Sequence, residues 1–396
     1  MSNAFFFIVF VLWVLSSFPL GHIRTNEKGF LVIKWWLIYF GLQFLYSIIG
    51  YSRELSFFMA RCYIYVIPIM MVYIIRFYTL KEIKLIWLSI IVLYGISLIS
   101  NIILGLGGGV DAFGGNDAFS QETLETSSTN AGSTAFVVGG LFLMPLLFLV
   151  FKYGSHKFLR LSCLIIMILT GYYILFLNSR TTAVIFMILI FLGMILVGNS
   201  NKIFSRGKKR KAIIYFCFFL ITIFLFALPV LNTMSDYFSD FGRMSERLRD
   251  LTFVLEGGGV QEMEQGSLFY RISLWMTSIH TFFDNYWNFF VGIGENVHDT
   301  DFYYLLKSGV GGHSEFFDLA ARYGIIGIFI MYKVWKYSFG FILNFADGNI
   351  KAQLYIIFAN VFLYGFVNTL FNHLSMIMMI LLFPVLTVQL LKNKII

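Results

Sequence analysis

Charge is scarce along this chain. Asp, Glu, Lys and Arg make up 13% of its 396 residues, against 59% hydrophobic residues and a mean hydropathy of +0.80. A water-soluble domain cannot cover so much apolar surface with so few charged groups, so a soluble globular protein is excluded. Cysteine is scarcer still. Cys62, Cys163 and Cys217 all fall inside apolar runs. They are too scattered for a disulfide framework or a thiolate metal site and read as small apolar filler. No phosphate-cradling Gly-x-x-x-x-Gly-Lys-Ser/Thr occurs, which excludes ATP-driven transport within this chain. The middles of the apolar runs lack charged residues, which argues against an ion-coupled pump.

What is present is a succession of bilayer-length apolar runs, each near the ~20 residues a helix needs to cross the hydrocarbon core. About eleven are expected, at residues 4–20, 30–49, 57–75, 84–104, 134–151, 161–178, 182–198, 213–231, 316–332, 353–371 and 374–391. No small-residue cleavage site follows the first, so it reads as a retained span. The ninth is weakened by Asp318 and Arg322. Residues 1–396 thus read as a single transmembrane domain, an all-α polytopic membrane protein.

The net charge of +8 does not signal nucleic acid, because the basic residues sort by side. Arg24, Lys28 and Lys34, then Arg76, Lys81 and Lys84, then Lys152, Lys157 and Arg160 fall in alternate connections. So do Lys202, the run Arg206 to Lys211, Lys333, Lys336, Lys351, Lys392 and Lys394. Basic loops stay in the cytoplasm, which gives an N-out, C-in orientation and makes the run at 206–211 a topology anchor at anionic headgroups.

Two outer segments stand out. Residues 105–133, rich in Gly, Ser, Thr and Asn, read as a flexible outer loop. Residues 232–315 form a long, partly helical extracytoplasmic loop between the eighth and ninth runs. Met244, Leu248, Leu251 and Leu255 recur there at helical spacing, and Leu268, Ile272, Trp275, Ile279 and Phe283 form a second amphipathic stripe. Gly292-Ile293-Gly294 reads as a tight turn and Gly309 to Gly312 as a hinge.

Chemistry concentrates on this outer side. Arg61, Arg180, Arg271 and Arg322 are expected at or near the outer boundary, where an arginine is costly unless paired or functional. A guanidinium fork matches two phosphate oxygens at once, so several converging would suit a lipid pyrophosphate. Each has a plainer reading, a side chain snorkelling to headgroups. His313, between flexible glycines and a helix start, titrates near neutrality and can take a proton from a hydroxyl, with Glu315 two residues on to orient it. A lone loop histidine is otherwise simply solvated. Asp299-Thr300-Asp301 offers thin support for a metal-dependent transferase, and His298 beside it has no metal-ligand spacing. No metal or cofactor site is expected.

Three segments resemble the bacterial O-antigen polymerase and O-antigen ligase membrane family, the Wzy/WaaL type. They are Asn178-Ser179-Arg180-Thr181-Thr182-Ala183, Arg271-x-x-x-Trp275 with Gly292-Ile293-Gly294, and Gly312-His313-Ser314-Glu315-Phe316-Phe317-Asp318-Leu319-Ala320 running into Tyr323-Gly324-Ile325-Ile326-Gly327. The likeness covers about residues 135–390. Ser314 and Phe317 stand where the family usually shows Asn and an aliphatic residue. The resemblance implies inverting, metal-independent transfer of a glycan from undecaprenyl pyrophosphate to a hydroxyl, at the extracytoplasmic face of the bacterial inner membrane. His313 would be the general base, while Arg180 and Arg271 would hold the pyrophosphate. A polysaccharide polymerase for capsule, O-antigen or exopolysaccharide is expected, with flippase and chain-length regulator proteins as partners. O-antigen ligation is the nearest alternative, and a lipid-linked oligosaccharide transporter the alternative from another class.

Overall fold

The computed structural model describes residues 27–48, 63–107, 123–174, 181–198, 268–294, 309–312, 314–370 and 374–396. The runs expected at 4–20 and 213–231, and the stripe from Met244 to Leu255, lie outside them. Among the described residues the chain is helical, with no strand. The elements are α1 (Glu27–Ile48), α2 (Tyr63–Phe77), α3 (Leu80–Gly107), α4 (Thr123–Tyr153), α5 (Lys157–Tyr172), α6 (Thr181–Gly198), α7 (Leu268–Phe283), α8 (Tyr286–Phe290), α9 (Glu315–Leu343) and α10 (Gly348–Val367). A last rod joins α11 (Leu374–Ile377), a π-helical turn (Met378–Leu382) and α12 (Phe383–Lys392). Helix is the economical answer for such sequences, because each segment bonds its own backbone where no water can.

Among the described residues, four helices are long and apolar enough to cross a membrane: α1 over Lys28–Tyr46, α3 over Leu80–Ile103, α9 and α10. Helix α9 packs against α1, α7 and α8, while α10 packs on α6. The last rod is enclosed by α2, α3 and α4, so that Phe383, Val385, Leu386 and Val388 are fully buried. Apolar burial alone is non-directional, and buried polar pairs fix the register. The Trp36 indole N–H donates to Ser338 Oγ at 2.9 Å, tying α1 to α9, and Trp87 donates to Thr387 Oγ1 at 2.9 Å, tying α3 to α12.

The two ends of the bundle differ. At one end Lys28 Nζ donates to Asn344 Oδ1 at 3.0 Å, Lys84 Nζ to the Ile395 carbonyl at 3.1 Å, and Lys392 lies 3.7 Å from Asp347. At the other end the Tyr46 hydroxyl donates to the Val291 carbonyl, and the Tyr46 and Tyr323 rings meet edge to face at 5.2 Å. Lys28 to Tyr46 spans 19 residues of helix, about 27 Å, close to the ~30 Å hydrocarbon thickness. The polar connections and the tyrosine end therefore sit at opposite boundaries. At the tyrosine end α8 exposes Tyr286 (89%) and Trp287 (61%) beside Phe283 and Phe290, the residue types that favour a membrane–water boundary.

Three boundaries differ from expectation. Helix α3 runs to Gly107 and α4 starts at Thr123, both inside the range 105–133 read as a loop, because Ser, Thr and Asn oppose helix only weakly. Helix α9 continues to Leu343, beyond the expected end at 332. Lys333 does not stop it, since its ammonium lies 5.1 Å from the Phe329 ring centre and 5.8 Å from that of Trp35. Finally, α9 is broken at Gly324, whose φ of 60° and ψ of −158° are non-helical.

Candidate functional site

The break at Gly324 organises the tyrosine end. A helix interrupted there leaves carbonyls on the preceding turn without their usual i+4 donors. The turn after α8 supplies replacements: Ile293 N–H donates to the Ala321 carbonyl at 2.9 Å and Gly294 N–H to the Arg322 carbonyl at 2.9 Å. This turn needs glycine, since Gly292 and Gly294 have φ of 79° and 74°. A Cβ on Gly292 would also stand closer than 3.0 Å to the Arg322 and Tyr323 backbone.

The segment leading into α9 is braced as firmly. Ser314 caps the helix, its Oγ accepting from Phe317 N–H at 3.2 Å and donating to the Gly365 carbonyl at 3.3 Å. The Asp318 side chain, 2% exposed, accepts from the Ser278 hydroxyl at 2.7 Å and from Ser314 N–H at 3.1 Å. The Gly312 backbone and the Arg322 guanidinium, one turn further on, both act on it electrostatically. Ser278 Oγ in turn accepts from Gly311 N–H at 2.9 Å. Gly311 has no room for a side chain, because the Leu274 backbone lies closer than 3.0 Å to where its Cβ would be. The stretch read as a glycine hinge is thus clamped onto α7.

Glu315 opens α9. Its N–H donates to the Asn368 carbonyl at 3.2 Å, and its Oε2 accepts from Leu370 N–H at 3.0 Å. The carboxylate therefore braces the turn that follows α10, a use that the sequence did not indicate.

The six sequence-derived site residues divide as follows. Glu315 and Arg322 both lie on the first part of α9, before the break. Arg271 lies on α7, which packs against α9. His313, Arg180 and Arg61 lie outside the described residues, but each has a described residue within two positions of it in the chain. Gly312 and Ser314 flank position 313 within the clamp just described. Thr181 begins α6, whose Phe186 ring meets Tyr364 at 5.1 Å and whose Gly193 faces Ile356. That pairing runs α6 against α10 with its start at the Gly365 end. Tyr63 begins α2, and Tyr65 bonds Gln43 near the Tyr46 end of α1. All these helix ends lie at the boundary opposite Lys28 and Asn344.

Sequence reasoning missed Ser278 and gave Asp318 no role beyond weakening the ninth run. The amphipathic stripe read on α7 included Trp275, Ile279 and Phe283; Phe283 is 67% exposed, while Leu274 and Ser278, outside the stripe, are fully buried. The buried face is turned toward Asp318, because a carboxylate taken out of water must be hydrogen-bonded. The available signal was an acid standing in an otherwise apolar run.

Residues 163–332 match the family model described as O-antigen ligase. The match runs from Cys163 in α5 to Tyr332 in α9, includes Arg180, Arg271, His313, Glu315 and Arg322, and leaves Arg61 outside it. No curated protein matches the chain.

Proposed function

We propose that this chain, which matches the O-antigen ligase family model over residues 163–332 and is built of apolar helices, is a membrane glycosyltransferase that extends a polysaccharide. The donor is a glycan on undecaprenyl pyrophosphate, and the acceptor is a hydroxyl of a second lipid-linked unit. His313 takes the proton from that hydroxyl, whose oxygen attacks C1 of the donor sugar from the side opposite the pyrophosphate. The C1–O bond to phosphate breaks, the configuration inverts, and the lipid pyrophosphate leaves as an anion. The imidazole then returns its proton to water. Arg180 and Arg271, with Arg61 and Arg322 nearby in the chain's outer side, meet the charge that develops on the leaving group, the kind of electrostatic term that dominates many enzymes. Glu315 serves by holding the turn after α10 and the start of α9 together. The orientation is N-out and C-in, with the site at the extracytoplasmic face of the bacterial inner membrane and with flippase and chain-length regulator proteins as partners.

One observation supports this reading above the rest. The segments flanking His313, the helix of Arg271 and the first residue after Arg180 share one end of the bundle, away from the lysine-rich end. A transporter would instead need polar groups spread through the spans. The description of the matching family favours a second reading, transfer of a finished glycan onto a different lipid acceptor. Purified protein incubated with a lipid-linked repeat unit and EDTA separates them: a ladder of lengths is expected. A product formed only when a second acceptor lipid is added would assign ligation, and no transfer to either acceptor would end the proposal.

A further inference from the structure

Ser278 and Asp318 lie 40 residues apart, yet they form one buried unit with the turn at 311–314. The carboxylate gathers the Ser278 hydroxyl and the Ser314 N–H group, and the hydroxyl gathers Gly311 N–H. Every bond in the set crosses between α7, the turn and the start of α9. Arg271 stands seven residues before Ser278 in α7, two turns or about 10 Å along the helix. Position 313 lies between Gly311, whose N–H the Ser278 hydroxyl holds, and Ser314, whose N–H the carboxylate holds.

Stability alone explains this arrangement poorly. Burying a carboxylate carries a large desolvation cost that its hydrogen bonds must offset, and a well-packed apolar group of similar volume often does as well. An acid in the first turn is helped by the helix dipole, but only modestly. What an apolar pair cannot supply is direction. Three hydrogen bonds aimed at two side chains fix both the sliding and the rotation of α7 against the turn.

We infer that Asp318 and Ser278 are positioning residues, which set the helix bearing Arg271 and the turn bearing His313 in one register for the transfer reaction. The inference rests on the proposed function, in which Arg271 holds the leaving group and His313 the nucleophile. Those two groups act on opposite sides of one sugar carbon, so a displacement of their supports by about 1 Å is enough to cost about 100-fold in rate.

The test uses the full-length protein as Asp318→Asn, Ser278→Ala and the double variant, each near-isosteric. Hydrogen exchange over residues 309–317 reads the clamp without any substrate, and about tenfold faster exchange is expected in every variant. Steady-state transfer on a lipid-linked repeat unit is expected to show kcat lowered about 10- to 100-fold with KM little changed. The double variant should fall no further than the worse single one, since both act through one unit. Unchanged exchange overturns the clamp. Faster exchange with unchanged kcat overturns the positioning role while leaving His313 and Arg271 in theirs. A rise in KM alone, or additive losses, also overturns it. If His313→Ala retains full activity the proposed function fails, and the positioning role with it; the exchange measurement still decides whether the clamp exists.

Discussion

Gly324 and Gly292 each lie against the other's backbone neighbourhood. A Cβ on Gly324 would stand closer than 3.0 Å to the backbone of Phe290 and Val291, and one on Gly292 would meet Arg322 and Tyr323 as closely. Both also have positive φ, at 60° and 79°. The broken helix and the turn after α8 therefore depend on the absence of two side chains.

Gly324→Ala and Gly292→Ala should each lower stability by about 1–3 kcal/mol, through backbone strain and the enforced shift of a neighbouring main chain. Thermal melts in detergent will show a lowered midpoint for both. Gly340→Ala, where nothing stands within 4 Å of the new methyl, should be close to neutral.

Thr387→Val keeps side-chain shape but removes the acceptor for the Trp87 indole N–H, held at 2.9 Å. Polar contacts between membrane helices contribute modestly, and a loss of about 0.5–2 kcal/mol is expected in unfolding measurements. The Thr387 hydroxyl also donates to the Phe383 carbonyl in its own helix at 2.8 Å, so the variant leaves that carbonyl without its extra donor.

His313→Ala should reduce transfer by about 10²–10⁴-fold, the usual worth of a positioned general base, with the melt unchanged. Arg271→Lys should retain more activity than Arg271→Ala, because it keeps the charge and loses only the fork. Single repeat units should accumulate on the lipid carrier in cells carrying His313→Ala, and a normal polymer ladder there would contradict the assignment.

Glu315→Gln keeps an oxygen to accept Leu370 N–H and removes the charge. Transfer within about fivefold of the unsubstituted protein is expected, since the hydrogen bond and not the charge carries the bracing. Glu315→Ala should lose about 1–3 kcal/mol of stability, read in the same melts.

Trp287, 61% exposed beside Tyr286 and Phe290, should lie in the headgroup region. In liposomes, a Trp287→Phe variant should lose the fluorescence component that shallow brominated lipids quench most strongly. Equal quenching of both proteins would place α8 in water.

The helical, membrane-embedded character was legible because a long apolar run has few alternatives in lipid, and the described helices overlie nine of the expected runs. The turn at Gly292 to Gly294 was legible because paired glycines in a polar segment imply left-handed backbone, which both adopt. The break in α9 was not, since Tyr323-Gly324-Ile325 reads as continuous apolar helix and only the docked turn makes the break affordable. Nor was the clamp. Ser278 belongs to an amphipathic pattern whose apolar members suggested a different buried face, and its partner lies across the fold. Periodicity reports which residues are apolar, and it is silent on a serine recruited by a distant acid.

An unbroken α-helix advances about 100° per residue, so the azimuth of every side chain follows from that of any other. The discontinuity at Gly324 cancels that constraint within the 29 residues of α9. Upstream, Asp318, Leu319 and Ala321 turn inward; downstream, Ile325, Ile328 and Phe329 turn to the lipid. Each half has its own phase, so an insertion near Phe329 would rotate the lipid-facing half and leave the orientation of Ser314 as it was.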